Sequence, residues 1–401
     1  MRTGEKESSF LKVIFAGGGT GGHLMAGISI AEEISSQFPD AGIVFFCTDL
    51  KREAGYLEKS GYRIKQIRAR KLTSLRHVPA FLFVSTIGLV SSFIHIAAIR
   101  PDMVVGLGGY GSVLPVVAAY FCRVPIVLIE QNSIPGRANR MLAGGVDAIL
   151  CHWEKTAKLF KKSKSIHVTG IPVRKDIIGN TSEKEYEKFG FVSQGKILLI
   201  MGGSQGAQTI NRVLVQCLPE LKKMIPELQI IHLTGKLGFC EVKRVYDKMG
   251  IRAFVSEYFE DIGLIYRITD LIISRSGANT VAEIAEVGIP AILIPYPYAT
   301  DNHQYWNAHE LSRNGGAIII EQKELNPEMI TEIIVRLLAD RERLHEMKAL
   351  SKKQSKPFAA ERVVEGILQT LAGKKQGAGL ILSERNRKRK ENESYNTRHL
   401  S

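Results

Sequence analysis

Short, uninterrupted apolar runs alternate with longer mixed segments along most of this chain. Val13-Ile14-Phe15-Ala16 and Ile197-Leu198-Leu199-Ile200-Met201 are the clearest of them. A run of that length without polar alternation marks a strand buried on both faces of a parallel sheet. The rhythm predicts strands over 11–16, 43–47, 63–67, 103–107, 125–129 and 148–150, with a helix from about 25 to 38. A break follows at Gly170-Ile171-Pro172, and residues 180–194 are polar and charged. Strands then resume at 196–201, 229–233, 271–273 and 291–294, and a helix over 359–371 comes last. Strand–helix alternation in both halves predicts an α/β protein of two doubly wound, Rossmann-like domains. The expected boundaries are 10–170 and 171–356, a helix over about 357–372, and a basic, aromatic-poor tail over 373–401 whose composition predicts disorder.

One stretch breaks the pattern. Ala80 to Ile99 contains no Asp, Glu, Lys or Arg and is about as long as a bilayer-spanning helix. It also holds Ser85, Thr86, Ser91, Ser92 and His95, and it lies between two expected strands. A crossover helix of a βαβ unit must pack on its sheet, so the stretch is expected to be a buried or membrane-contacting crossover rather than a span.

Composition narrows the picture further. With 45% hydrophobic and 23% charged residues, the 401-residue chain has the make-up of a globular protein. The net charge is +14, and the tail beyond Gly373 supplies eight Lys/Arg against three Glu. The basic body fits phosphorylated substrates or an anionic membrane surface. No motif supports nucleic-acid recognition. Cys47, Cys122, Cys151, Cys217 and Cys240 are scattered and include no C-x-x-C pair, so buried free thiols are expected. The polar N-terminus does not look like a signal peptide.

The candidate chemistry lies in four glycine-rich turns, each closing an apolar run. They begin at Gly17, Gly106, Gly202 and Ser274. A glycine turn that opens a helix exposes backbone N–H groups at the positive end of the helix dipole, which suits phosphate. Gly17-x-Gly19-x-x-Gly22 fits the dinucleotide pattern, but its acidic partner is missing: Asp49 comes late and sits among charges. His23 is foreign to that pattern and is either a helix-start residue bonding the backbone or an imidazole at a cleft. Thr280-x-x-Glu283 is either a capping box or a ribose-binding carboxylate, and the residues alone leave both open. Asp301-Asn302-His303-Gln304-Tyr305-Trp306-Asn307 brings amides suited to sugar hydroxyls. One His without a partner at helical spacing makes a poor metal site, and no D-x-D occurs in the chain.

Taken in order, these motifs resemble one family. The pieces are Gly18-Gly19-Thr20-Gly21-Gly22-His23, Gly108-Gly109-Tyr110, Glu130-Gln131-Asn132, Gly170-Ile171-Pro172-Val173-Arg174, Gly202-Gly203-Ser204-Gln205-Gly206-Ala207 and Arg275-Ser276-Gly277-Ala278-x-Thr280-Val281-x-Glu283. From about Leu11 to Gly373 the chain resembles the MurG family of bacterial glycosyltransferases, which convert lipid I to lipid II in peptidoglycan synthesis. The resemblance implies a GT-B fold with an interdomain cleft, and a last helix that crosses back to the first domain. It implies UDP-GlcNAc and lipid I as substrates, no cofactor and no metal. Thr20, Gly21, Gly22 and Asn132 would reach the donor sugar, and Arg174 and Ser204 would hold the diphosphate. Phe259 would present its backbone to uracil. Glu283 would take the ribose hydroxyls at the helix start formed by Ala278, Asn279, Thr280, Val281 and Ala282. Gln304 would contact GlcNAc; some members have a second glutamine where this chain has His303. Gly108, Gly109 and Tyr110 fall on the acceptor side, and His23 is the candidate base.

The implied reaction is inverting: the muramoyl C4 hydroxyl attacks the anomeric carbon and UDP leaves. The implied site is peripheral, on the cytoplasmic face of the membrane. There Arg68, Arg70, Lys71 and Arg76 adjoin Leu75, Phe81, Leu82 and Phe83, unless those aromatics pack on the sheet. The alternatives are a GT-B transferase acting on another lipid acceptor such as diacylglycerol, a non-catalytic UDP-sugar sensor, or a nicotinamide oxidoreductase. Transfer assays separate enzyme from sensor, and uridine over adenine preference excludes the oxidoreductase.

Overall fold

The computed structural model describes residues 10–17, 21–48, 57, 60–70, 74–161, 163–179, 181–203 and 206–374. Thr20, Ser204, Lys71, Asp49 and the tail beyond Lys374 lie outside them. Within the described residues the chain divides into two compact units. The first runs to Glu130, resumes over Gly136–Gly170 and takes in the chain from Phe358; the second holds Gln131–Pro135 and Ile171–Pro357.

The first unit starts β1 (Lys12–Gly17), α1 (Gly21–Gln37), β2 (Gly42–Cys47), β3 (Arg63–Gln66) and α2 (Val78–Ile99). It continues β4 (Met103–Gly108), α3 (Tyr110–Phe121), β5 (Ile126–Glu130), α4 (Arg137–Leu142), β6 (Ala148–Cys151), α5 (Glu154–Leu159) and β7 (Ile166–Val168). Its seven strands are parallel in the order β3-β2-β1-β4-β5-β6-β7. Successive residues of a strand face opposite sides of the sheet. Val13 and Phe15 therefore join Leu24, Ile28 and Ala31 of α1, whereas Ile14 and Ala16 join Ile96 of α2 and Val116 of α3.

The second unit comprises α6 (Glu183–Lys188), β8 (Ile197–Met201), α7 (Gln208–Met224), β9 (Gln229–Leu233), α8 (Phe239–Met249), β10 (Ala253–Ser256) and α9 (Ile262–Ile268). Then come β11 (Leu271–Ser274), α10 (Ala278–Val287), β12 (Ala291–Leu293), α11 (His303–Ser312), β13 (Ala317–Ile319), α12 (Pro327–Ala339) and α13 (Arg341–Lys352). Its six parallel strands are ordered β10-β9-β8-β11-β12-β13.

The last helix, α14 (Ala359–Lys374), belongs to the first unit. Val363, Val364, Ile367, Leu368 and Leu371 form one stripe at helical spacing, buried in the same cluster as α1. Gly366 lets the helix close on β6, since a Cβ there would lie 2.9 Å from Leu150 Cδ2. The Arg362 Nε–H donates to the Thr169 carbonyl at 2.8 Å.

Two findings depart from the sequence reading, and a third narrows it. The strands β7, β10 and β13 were not expected. Each is only three or four residues long and lies at a sheet edge, too short a run to stand out as a strand. All five cysteines are free, but Cys122 and Cys240 are exposed rather than buried. Helix α2 is a crossover helix, yet only a narrow stripe of it is covered. Gly88, Ser92 and Ile96 are buried, and Gly88 admits the Arg68 carbonyl where a Cβ would collide at 2.0 Å. Leu82, Phe83, Val90 and Ile94 are exposed, Phe83 to 68%, so packing on the sheet does not account for its aromatic side chain. By length and composition α2 could cross a bilayer.

Replacing Ile367 by Ala should cost the first unit about 2–5 kcal/mol, the ordinary cost of emptying a buried aliphatic site. Guanidinium unfolding monitored in the first unit should register it. A loss below about 1 kcal/mol would mean that α14 contributes little to this core.

Candidate active site

In both sheets the strand order reverses in the middle, between β1 and β4 in the first unit and between β8 and β11 in the second. At such a switch point the connections leave in opposite directions, and ligands of open α/β sheets sit outside the carboxyl ends of those strands. All four glycine-rich turns end these four strands. Their glycines meet steric demands. Gly17 has φ +153° and a Cβ there would lie 2.8 Å from Leu107 Cβ; Gly206 has φ +72° and its Cβ would sit 2.4 Å from the Thr234 carbonyl oxygen.

In the first unit, Gly21, Gly22 and His23 open α1. Gly108 and Gly109 carry positive φ and set Tyr110 at the start of α3. The His23 imidazole lies against Gly108: its Nε2 is 3.5 Å from the position of a Cβ there, with Asn139 Nδ2 at 3.6 Å from the same point. Asn139 is buried and donates to Glu130 Oε2 at 2.9 Å, and Glu130 also accepts the Gly136 N–H at 2.9 Å. A buried carboxylate thus backs the loop that carries His23's neighbour. Glu130 and Asn139 were not assigned roles from the sequence.

In the second unit the centre is Glu283, on α10. The helix starts at Ala278 with Gly277 as its N-cap, and no side chain caps it. Thr280 and Glu283 therefore do not form a capping box, and the first turn of Ala278, Asn279 and Thr280 presents its backbone as the helix N-terminus. The Glu283 carboxylate instead accepts from the buried Tyr266 hydroxyl at 3.0 Å. Arg174 Nε stands 3.8 Å from Glu283 Oε1 and 3.8 Å from Asp176 Oδ1. That nitrogen is buried and has no hydrogen-bond acceptor among the described residues, while Arg174 Nη1 donates to the Glu260 carbonyl at 3.1 Å. Burial pushes the Glu283 carboxyl above the usual range, against the opposing pull of Arg174 and the Tyr266 hydroxyl. Burial and the Glu283 charge hold the Tyr266 phenol well above its ordinary value, so it remains a donor.

Other candidates lie elsewhere in the same unit. The Gln304 side-chain oxygen accepts the Tyr296 N–H at 3.0 Å, and the Gln304 carbonyl accepts from Ser276 at 2.8 Å. Val281 and Ala282 are buried in α10. Asn132 lies in the short segment that the second unit holds. There Asn307 donates to Asn132 Oδ1 at 3.2 Å and accepts the Ser133 N–H at 2.8 Å, and Ser133 donates to the buried Glu310 at 3.1 Å. The Phe259 ring packs with Phe189 and Phe254, centroids 5.3 and 5.7 Å away, which pins its backbone. His303 Nδ1 lies 2.8 Å from the Thr300 carbonyl oxygen.

Behind the turn that follows β8 is a buried chain of polar groups. His232 pairs its two ring nitrogens with Tyr246 Oη at 3.2 Å and Asn211 Oδ1 at 3.1 Å, and Asn211 donates to the Thr234 carbonyl at 2.8 Å. That carbonyl is the one Gly206 approaches so closely. Burial depresses the His232 imidazole to about 3. Sequence reasoning missed Tyr266, Asn211 and His232 because each acts across the fold, with no motif around it.

Two parallel-sheet units with glycine turns at both switch points, the second carrying a half-buried carboxylate–guanidinium pair, fit a sugar-nucleotide transferase of the GT-B class. Residues 13–151 match the glycosyltransferase family 28 N-terminal domain and residues 197–363 its C-terminal domain. A protein of Thermodesulfovibrio yellowstonii named "UDP-N-acetylglucosamine--N-acetylmuramyl-(pentapeptide) pyrophosphoryl-undecaprenol N-acetylglucosamine transferase" is 37% identical over 376 residues, 91% of this chain and 100% of its own. One of the same name from Desulfotalea psychrophila is 34% identical, covering 90% and 96%. The crystal structure of Acinetobacter baumannii MurG superposes with a TM-score of 0.69 at 27% identity, over 90% of this chain and 99% of that one. The chain belongs to the MurG family of glycosyltransferases within glycosyltransferase family 28.

Two measurements probe this geometry. Glu283→Ala should lower kcat/KM for the sugar nucleotide at least ten-fold, about 1.4 kcal/mol or more. A lower melting temperature with unchanged kcat/KM would assign Glu283 a purely structural role. His232 is neutral in the fold, whereas in the unfolded chain it titrates near 6.5. Its contribution to stability is therefore complete above pH 6.5 and is lost as pH falls towards 3, by up to ~1.4 kcal/mol per pH unit. His232→Gln should flatten that part of the stability–pH curve; an unchanged slope between pH 6.5 and 4.5 would refute it.

Proposed function

We propose that this protein transfers GlcNAc from UDP-GlcNAc to the C4 hydroxyl of the MurNAc residue of lipid I, yielding lipid II. The observation that carries this reading is the half-buried Glu283–Arg174 pair beside the uncapped N-terminus of α10. It supplies, side by side, an acceptor for ribose hydroxyls and donors for a diphosphate. The Arg174 Nε, buried and without an acceptor among the described residues, is a group that a phosphate oxygen would satisfy. Gln304 and Asn132 take the donor sugar, and the backbone at Phe259 takes the uracil. Thr20, Gly21 and Gly22 serve the same sugar, and Ser204 the diphosphate.

In the reaction the acceptor C4 oxygen forms a bond to the anomeric carbon as that carbon's bond to the UDP β-phosphate oxygen breaks. The hydroxyl proton passes to His23, and negative charge builds on the departing UDP. Backbone N–H groups at helix N-termini, together with Arg174, stabilise that charge, so the chemistry runs without a metal. The α-linked donor thereby yields a β-1,4 bond. Gly108, Gly109 and Tyr110 face the acceptor.

The acceptor is anchored in lipid, and α2 supports a peripheral membrane contact on the cytoplasmic face. Leu82, Phe83, Val90 and Ile94 project from its uncovered side, Phe121 of α3 packs against Phe93, and Arg68, Arg70 and Arg76 are exposed nearby in sequence. Apolar side chains enter the interface while each basic group contributes ~1 kcal/mol close to an anionic surface.

Transfer of labelled GlcNAc to a synthetic lipid I analogue should proceed in the presence of EDTA, and Arg174→Ala should weaken UDP binding itself. Strict dependence on an added divalent ion would overturn the metal-free scheme. Replacing Arg70 and Arg76 by Glu should impair binding to anionic vesicles and leave UDP-GlcNAc affinity intact. Unchanged vesicle binding would remove this face as the membrane contact.

A further inference from the structure

The hydroxyl of Tyr266 is the direct hydrogen-bond donor to the Glu283 carboxylate, and it lies deep in the second unit. A glutamate's terminal torsion is broad and nearly free, so a carboxylate expected to receive two hydroxyls at once needs something to set its plane. Arg174 does not do this. At 3.8 Å from Oε1, its Nε attracts the charge without forming a hydrogen bond. Tyr266 occupies one acceptor position on Oε2 and leaves the others open.

The phenol is itself firmly held. Its helix, α9, is clamped to the segment that carries Arg174. Gly263 meets the Asp176 carbonyl where a Cβ would lie 2.2 Å from the oxygen. Arg267 donates to that same carbonyl and forms a paired contact with Glu185 at 3.1 and 2.6 Å. Met201, the last residue of β8, places its sulfur 3.8 Å from the same hydroxyl. One rigid helix thus touches the carboxylate, the segment bearing the arginine and the strand that leads into the Gly202 turn.

We propose that Tyr266 is a positioning residue for the sugar nucleotide, fixing the Glu283 carboxylate so that its free acceptor positions face the ribose hydroxyls. This rests on the assignment of Glu283 to the ribose. The charged and titratable groups facing Glu283 are Arg174 and Asp176, from the segment after Gly170, and Tyr266 from α9. Removing the phenol deletes a donor that favours the ionised carboxylate. In its absence the carboxylate protonates at higher pH, with Arg174 still opposing and Asp176 still assisting protonation.

The test compares binding of UDP and of 2′,3′-dideoxy-UDP, which lacks both ribose hydroxyls, to the full-length protein by titration calorimetry. Tyr266→Phe should weaken UDP at least five-fold and dideoxy-UDP less than two-fold, and should move the acid limb of UDP affinity to higher pH. Glu283→Gln is the reference. If it leaves the UDP to dideoxy-UDP ratio at the parent value, the ribose assignment fails and the role of Tyr266 fails with it. If Glu283→Gln collapses the ratio but Tyr266→Phe keeps it within two-fold, the ribose assignment stands and the positioning role is overturned. Parallel weakening of both ligands by Tyr266→Phe would make the tyrosine a purely structural residue and also overturn it. Tyr266→Met, read by the same ratio, replaces the phenylalanine variant if that protein does not fold.

Discussion

The reversal of strand order at the centre of each sheet is the constraint from which the site follows. β1 pairs with β4, and β8 with β11, so chain segments far apart in sequence end side by side. Their connections must diverge, and the backbone at each exit is crowded by its neighbour. Gly17 against Leu107 of β4, and Gly206 against Thr234 at the end of β9, the other neighbour of β8, show how little space remains for a side chain. Glycine solves the crowding and, in the same step, leaves backbone N–H groups uncovered at helix starts. The same residues therefore satisfy packing and, in the proposed function, offer the nucleotide's phosphates their contacts.

Electrostatics then divides the labour within the second unit. The half-buried Glu283 carboxylate and Arg174 guanidinium lie between the buried Tyr266 phenol and the exposed Asp176, and their mutual attraction only partly offsets desolvation. The Arg174 Nε has no hydrogen-bond acceptor among the described residues, and burial raises the Glu283 carboxyl. In the proposed function a charged nucleotide supplies the missing partner, so the cluster favours binding over stability. The buried His232–Asn211 chain behind the neighbouring turn is, by contrast, fully engaged and serves rigidity.

The first unit makes a different compromise. Helix α2 covers its sheet with a stripe of small residues, Gly88 and Ser92, ending in Ile96, and turns large apolar side chains outward. An exposed apolar face on a folded domain is unusual unless something covers it. A lipid surface fits both that face and the basic residues preceding it in the chain, which is why the acceptor's anchor and the protein's surface chemistry belong to one functional reading.

The strands of both central sheets could be read in the sequence, because burial on two faces demands unbroken apolar runs such as Ile197–Met201. The glycine turns could be read for the same kind of reason: close backbone approach excludes other residues, and the order of the motifs pointed to the family. The edge strands β7 and β10 were not legible, since runs of three and four residues are too short to establish a period. Nor was the choice between the two readings of Glu283, because Thr280-x-x-Glu283 satisfies a capping box in sequence. Only the fold removed the capping box, by starting the helix at Ala278 and bringing Tyr266 to the carboxylate from another helix. The periodicity of a chain records which faces are buried. It does not record which polar group from a distant element meets another in the interior, because that depends on how the elements pack.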